Sequence, residues 1–150
     1  MSEAQQPPGG VTLEVRRTID ATAERLFAAW TDPKQLISWW GPEGVVCTGA
    51  EVDLRAGGRY RIGNRLPDGM EIWIVGTFEV IDRPRLLAYS WLVEGIQGDA
   101  ERVTVRFEER GGATEVIVTH ERIPNGALRD QHASGWKGCL DGLAEFVSAG

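Results

Sequence analysis

The C-terminal part of the chain carries the pattern that most restricts what it can fold into. After Pro124 and Asn125, apolar side chains recur at intervals of three and four residues, and His132 and Gly135 share their stripe. The apolar positions are Leu128, Trp136, Cys139, Leu140, Leu143, Phe146 and Val147. About twenty residues with one apolar side predict a long amphipathic helix, which must bury that side against a large surface.

The residues before this helix predict the sheet that receives it. Segments with alternating apolar and polar side chains are separated by turn sequences, such as Pro67-Asp68-Gly69 and the pair Gly111 and Gly112. The predicted strands are 11–19, 45–54, 59–65, 71–81, 86–93, 102–109 and 114–122. Glycine pairs between such segments are typical of hairpins, so we expect neighbouring strands to be antiparallel.

Two short helices are predicted between the first and second strands. Thr22 can cap the first helix, whose inner face carries Leu26, Phe27 and Trp30. Asp32 and Pro33 are typical of the first residues of a second helix. The order of elements predicts an α+β roll, in which a curved antiparallel sheet of about seven strands lies against the long C-terminal helix.

The composition restricts the partners. The 150 residues carry a formal net charge of −6, which argues against general affinity for nucleic acid or an anionic membrane. No run approaches the roughly 18 apolar residues of a membrane span. Residues 1–10 lack the features of a signal peptide and are interpreted as a disordered tail, followed by one domain at 11–150. We expect a cytoplasmic protein.

The sequence predicts neither a metal site nor a catalytic centre. Cys47 and Cys139 are far apart in the chain, so no zinc-binding or disulfide pattern is indicated, and no cofactor motif is present. Asp130, His132 and Ser134 are close in sequence, but helical spacing scatters them around the axis. We therefore name no catalytic residue.

Aromatic side chains and the two histidines are the candidate ligand-binding residues. The chain contains six tryptophans, and such side chains pack in cores more often than they line pockets. Trp39 and Trp40 are adjacent, so one is expected to pack in the core and the other to reach a cavity. The candidate ligand-binding set is Trp40, Tyr60, Trp73, Tyr89, Trp91, His120, His132 and Trp136.

Many short motifs, spread over nearly the whole chain, carry a family resemblance. They are Ala29-Trp30-Thr31-Asp32-Pro33, Trp39-Trp40-Gly41-Pro42, Asp53-Leu54-Arg55-Ala56-Gly57-Gly58, Pro67-Asp68-Gly69, Gly76, Gly112-Ala113-Thr114, Thr119-His120, Gly135-Trp136 and Leu140-Asp141-Gly142-Leu143. The chain resembles the SRPBCC (START-like, helix-grip) superfamily. Within it, the chain is most similar to the branch named for the C-terminal domain of the heat-shock-protein-90 ATPase activator.

The resemblance implies a single START-like domain with a hydrophobic cavity between the sheet and the long helix. Members of the superfamily bind lipids, sterols or polyketides, so the leading hypothesis is a protein that binds a small apolar ligand without catalysing a reaction. The second hypothesis is a co-chaperone-like domain that acts on a heat-shock chaperone ATPase. The third is a cyclase-type enzyme that uses His120 and a tyrosine. Formation of a homodimer is left open.

Overall fold

Turn glycines and helix caps divide the chain into ten elements. The computed structural model describes residues 10–96 and 98–149, so most of the predicted tail lies outside the described residues. The elements are β1 (Val11–Ile19), α1 (Ala23–Thr31), α2 (Pro33–Trp39), β2 (Val46–Val52), β3 (Arg59–Arg65), β4 (Glu71–Asp82), β5 (Leu86–Val93), β6 (Glu101–Arg110), β7 (Ala113–Ile123) and α3 (Gly126–Ala149). The predicted helices and strands are confirmed, with some ends shifted by one or two residues.

The strands form one curved antiparallel sheet in the order β1-β7-β6-β5-β4-β3-β2. Successive strands from β2 to β7 are neighbours, and β1 pairs with β7. Gly69, Gly111 and Gly112 occupy turns with φ of 91°, 63° and 89°, a conformation that glycine adopts without steric cost. The predicted α+β class is confirmed.

Side-chain caps begin the two short helices as the sequence predicts. The Thr22 side chain accepts a hydrogen bond from the backbone N–H of Arg25 at 3.1 Å. Asp32 accepts one from the backbone N–H of Lys34 at 3.0 Å, and Pro33 occupies the first turn of α2. These caps satisfy amides that would otherwise lack a partner at the helix ends.

The apolar stripe of α3 lies on the inner face of the sheet. Trp136, Cys139, Leu140 and Leu143 are buried there, among inward-facing residues such as Val103, Val105, Val116 and Val118. None of the helices in the described ranges is both long enough and apolar enough to cross a membrane.

Two glycines allow α3 to approach the segment that follows α2. A Cβ atom at Gly138 would lie 2.7 Å from Cβ of Pro42, and one at Gly142 would lie 2.8 Å from the carbonyl oxygen of Trp39. Both distances are shorter than van der Waals contact, so a larger residue would push the helix away. The close approach holds Pro42 beside α3, where it lines the site described next.

Candidate functional site

A pocket of about 160 Å³ lies between the N-terminal half of α3 and the inner face of the sheet. Trp40, Trp91 and Trp136 form much of its wall. The other lining residues are Pro42, Val45, Asn64, Leu66, Ile72, Ile74, Gln131, His132, Gly135 and Cys139. A concave site that is mainly apolar and has a few polar groups is typical of small-molecule binding.

Three other concavities of the described residues are larger, at about 810, 740 and 450 Å³. Charged side chains line all three, among them Asp82, Arg83, Glu43, Arg59 and Arg61. Charged side chains keep the walls of these concavities hydrated, so an apolar molecule gains little by entering them. The smaller, tryptophan-lined pocket is therefore the better candidate.

The indole N–H groups of two of these tryptophans are already used. Trp40 Nε1 donates to Oδ1 of Asn64 at 2.9 Å, and Trp136 Nε1 donates to Nδ1 of His120 at 3.0 Å. The ring of Trp136 lies 5.6 Å from that of Trp40 and 5.4 Å from that of Trp91, measured between centroids. The three rings therefore form one packed wall, to which Trp40 and Trp136 contribute apolar ring surface.

Behind this wall lies a cluster made by Glu101, His120 and His132. The Nε2 atom of His120 lies 2.7 Å from Oε1 of Glu101, and Nε2 of His132 lies 3.2 Å from the same oxygen. The two imidazole rings are stacked, with centroids 4.6 Å apart and planes inclined by 11°. His120 is fully buried. His132 also lines the pocket, so it links the cluster to the pocket.

The hydrogen bonds fix the tautomer of His120. An indole N–H can only donate, so Nδ1 of His120 accepts from Trp136 and carries no proton. The neutral ring then carries its proton on Nε2, which donates to the carboxylate of Glu101. A second proton on Nδ1 would face the N–H of Trp136, so this arrangement holds the imidazole neutral.

The same contacts change the acidities of the cluster. Burial lowers the pKa of His120, and although Glu101 raises it, burial prevails. Burial raises the pKa of Glu101, but the hydrogen bond from His120 and the nearby imidazole of His132 outweigh that effect and bring it to about 2. Glu101 is therefore a partly buried, permanently negative carboxylate at neutral pH.

The cluster contains residue types that bind metal ions, with one ligand atom of each within 4.8 Å of the others. Its geometry does not suit a shared metal. A metal lies in the plane of each imidazole that binds it, along the nitrogen lone pair, whereas the stacked, nearly parallel rings direct their lone pairs side by side. In addition, Nε2 of His120 carries a proton. We interpret the cluster as a hydrogen-bonded ion network.

A family model matches residues 20–148, and its description is Activator of Hsp90 ATPase homolog 1-like protein. The chain belongs to this family. No curated protein matches the sequence. The AHSA1-like assignment confirms the resemblance seen in the motifs.

Solved structures confirm the AHSA1-like fold. A protein from Chromobacterium violaceum is 25% identical with a TM-score of 0.84, over 91% of this chain and 96% of that one. A protein from Rhodobacter sphaeroides is 26% identical with a TM-score of 0.78, over 92% and 93%. An AHSA1-like protein from Aeromonas hydrophila is 27% identical with a TM-score of 0.75, over 93% of each chain.

The AHSA1-like fold brings together half of the eight candidate residues. Trp40, Trp91, His132 and Trp136 line the pocket. His120 lies behind them and contacts the pocket wall through Trp136.

The remaining three candidates lie elsewhere. Tyr60 and Tyr89 line a separate gap of about 20 Å³. Trp73 lies on the outer face of the sheet, where its indole packs over Gly49 and Gly63 and under the guanidinium of Arg61, 4.3 Å from the ring centroid. The structure thus does not bring Trp73 into the cavity, contrary to the expectation from the sequence.

Sequence reasoning missed Glu101 and Asn64. The inward-facing positions of β6 are every second residue, and they include Val103, Val105 and Phe107. Glu101 lies two residues before Val103, so it falls on the same face. A charged residue in register with an apolar face was the available signal. Asn64 likewise continues the inward positions of β3, and it is buried, with an exposure of 4%.

Proposed function

We propose that the protein binds a small apolar molecule, about the size of one aromatic ring, in the pocket between the sheet and α3. The observation that carries this proposal is the cavity of about 160 Å³ walled by Trp40, Trp91 and Trp136. Tryptophan rings offer large apolar contact areas at small entropic cost, because they have few rotatable bonds.

The volume narrows the class of ligand. A dry cavity of about 150 Å³ accommodates benzene, whereas sites for drug-sized ligands span about 300–1,000 Å³. A sterol or an aromatic polyketide, as the superfamily resemblance implies, exceeds the pocket in this conformation. Toluene, phenol and indole are of the appropriate size.

Gly135 offers a direct test, because it faces the pocket from α3. A Cβ atom built there would meet no heavy atom within 4 Å. The Gly135→Leu variant should therefore fold and fill the pocket with its own side chain. We expect toluene, phenol or indole to raise the melting temperature of the wild-type protein, since a ligand at a hundred times its Kd stabilises by about 2.7 kcal/mol. Gly135→Leu should abolish this effect.

The matched control is Ala127→Leu, which adds a leucine side chain at an exposed position of the same helix. It should retain the ligand-induced shift. Calorimetric titration and circular dichroism of all three proteins check binding and folding separately. The proposal is wrong if none of the ring-sized ligands binds the wild type, or if folded Gly135→Leu binds them unchanged.

The family description favours a second candidate, interaction with a heat-shock chaperone ATPase. The large apolar residues exposed in the described part of the chain lie on different helices, strands and loops. They are Ile37, Val46, Leu54, Met70, Val80 and Ile96. A stable interface buries about 800 Å² on each partner, usually around an apolar centre. We place the ligand-binding proposal first because it rests on a formed site.

A further inference from the structure

The wall of the tryptophan-lined pocket offers no charge to a ligand. None of its lining residues is a lysine, arginine, aspartate or glutamate, and the one titratable imidazole, that of His132, lies 3.2 Å from the carboxylate of Glu101. An ionised ligand would lose water on entry without forming an ion pair with any lining residue, which costs far more than burial of a neutral group.

The negative charge of Glu101 makes this barrier higher for anions. Its carboxylate accepts a hydrogen bond from the Nε2–H of His120 and lies beside His132, just behind the wall. This carboxylate lies 3.2 Å from His132, which lines the pocket, so an anionic ligand would be repelled as well as desolvated.

Asn64 supplies a buried polar group that a neutral ligand can use. Its Oδ1 accepts from Trp40 Nε1, which assigns the oxygen, and its Nδ2 donates to the backbone carbonyl of Ile62 at 3.0 Å. A primary amide has two N–H groups, so Asn64 can donate one further hydrogen bond. The side chain is buried and lines the pocket, where a ligand oxygen can accept that bond.

We infer that the ligand is an uncharged monocyclic aromatic molecule with one oxygen acceptor, such as an aromatic alcohol, phenol or aldehyde, and that the pocket rejects the matching carboxylate. This inference rests on the proposed function and adds the charge and the polar group of the ligand. The acceptor oxygen lies against Asn64, and the ring lies against the tryptophans.

Four ligands of matched shape test the inference: toluene, benzyl alcohol, benzylamine and benzoate, titrated at pH 8 by calorimetry. Benzyl alcohol should bind most tightly. Toluene should be weaker by about fivefold to tenfold, the worth of one net hydrogen bond. Benzoate should be weaker than benzyl alcohol by at least about 100-fold, because its charge is buried without a partner.

The Glu101→Gln variant tests whether the negative charge of Glu101 disfavours anionic ligands. The amide oxygen of glutamine still accepts from Nε2 of His120, so the network keeps its shape and loses its charge. The preference for benzyl alcohol over benzoate should fall by at least about tenfold, the effect of removing a unit charge within about 12 Å at an effective dielectric constant of about 20. Glu145→Gln, the same change at an exposed position of α3, should leave the preference unchanged.

Each outcome decides between the two proposals. Binding of benzoate or benzylamine as tight as that of benzyl alcohol overturns the charge inference and leaves the proposed function standing. Binding of toluene as tight as that of benzyl alcohol overturns the role of Asn64. An unchanged preference in Glu101→Gln overturns the role of Glu101. Absence of binding by all four ligands overturns the proposed function and this inference with it.

Discussion

His120 has a hydrogen-bonding partner on each ring nitrogen, and each partner has a fixed role as donor or acceptor. Trp136 can only donate, and the ionised carboxylate of Glu101 can only accept. Because the histidine is fully buried, a nitrogen that lost its partner could not turn to water instead. Each member of the network is therefore expected to be costly to replace, even by a residue of similar size.

The Trp136→Phe variant tests whether loss of the hydrogen bond from Trp136 to His120 destabilises the protein. Phenylalanine keeps an aromatic ring but leaves Nδ1 of His120 unpaired, which costs about 1–3 kcal/mol. The matched control is Trp73→Phe on the outer face of the sheet, where the indole packs under Arg61 and a loss below about 1 kcal/mol is expected. Urea unfolding of both variants measures the difference. Equal losses would contradict the hydrogen-bonding role of Trp136.

The acidity of Glu101 predicts how stability depends on pH. Its pKa in the folded protein is about 2, below the ordinary value of 4.5, so the unfolded chain takes up this proton first as pH falls. The stabilisation is fully present above about pH 5, and about 2 kcal/mol of it is lost by pH 3. Glu101→Gln cannot lose this contribution. Urea unfolding at pH 5.5 and pH 3 should therefore show a larger fall in the wild type than in the variant, and equal falls would refute the assignment.

Helix α3 carries three interior glycines with different surroundings. Gly135 faces the pocket, whereas Gly138 and Gly142 lie against Pro42 and the carbonyl of Trp39. The helix therefore uses glycine for space at one position and for close approach at the other two.

Substitution by alanine should change the stability of the protein in opposite directions at Gly135 and Gly138. Gly135→Ala is expected to stabilise the protein by up to about 1 kcal/mol, because alanine is the better helix former and its Cβ meets open space. Gly138→Ala should destabilise it by about 1–3 kcal/mol, because its Cβ would lie 2.7 Å from Pro42. Thermal unfolding of the two single variants provides the comparison. A loss of stability in Gly135→Ala would show that the helix is placed differently.

The sequence predicts helices and strands well where a pattern of residues is typical of only one kind of structure. The stripe of α3 and the cap at Asp32 define their elements because each pattern matches one kind of structure. Strand β4 is different, since Ile72, Trp73, Ile74 and Val75 are consecutive and apolar, so alternation cannot say which residues face inward. That is why Trp73 was expected in the cavity.

The cluster behind the pocket lay beyond sequence reasoning for another reason. Glu101 is opposite Trp91 on one neighbouring strand, and His120 is opposite Val103 on the other. Their contact is thus diagonal and depends on the register of β6 with β7. The volume of the pocket is also unpredictable from sequence, because it is the small space left after all neighbouring side chains have packed.

For the molecule as a whole, we expect this protein alone not to stimulate a heat-shock chaperone ATPase at micromolar concentration. The apolar positions of α3 and the inner sheet face are buried against each other, and a partner would need a comparable exposed patch. Titration into the chaperone of the same host, with ATP hydrolysis measured, checks this. A saturable rise would place the chaperone candidate first.

The tryptophans also determine how the molecule interacts with light. Trp30, Trp39, Trp40, Trp91 and Trp136 form a continuous chain of rings, with neighbouring centroids 5.1–6.3 Å apart. At such separations the electronic transitions of indoles couple, and absorbed energy migrates among them before it is emitted. We therefore expect five of the six tryptophans to act as one coupled group, with Trp73 separate on the other side of the sheet. A change at any one ring alters the exciton signature of the whole group in circular dichroism.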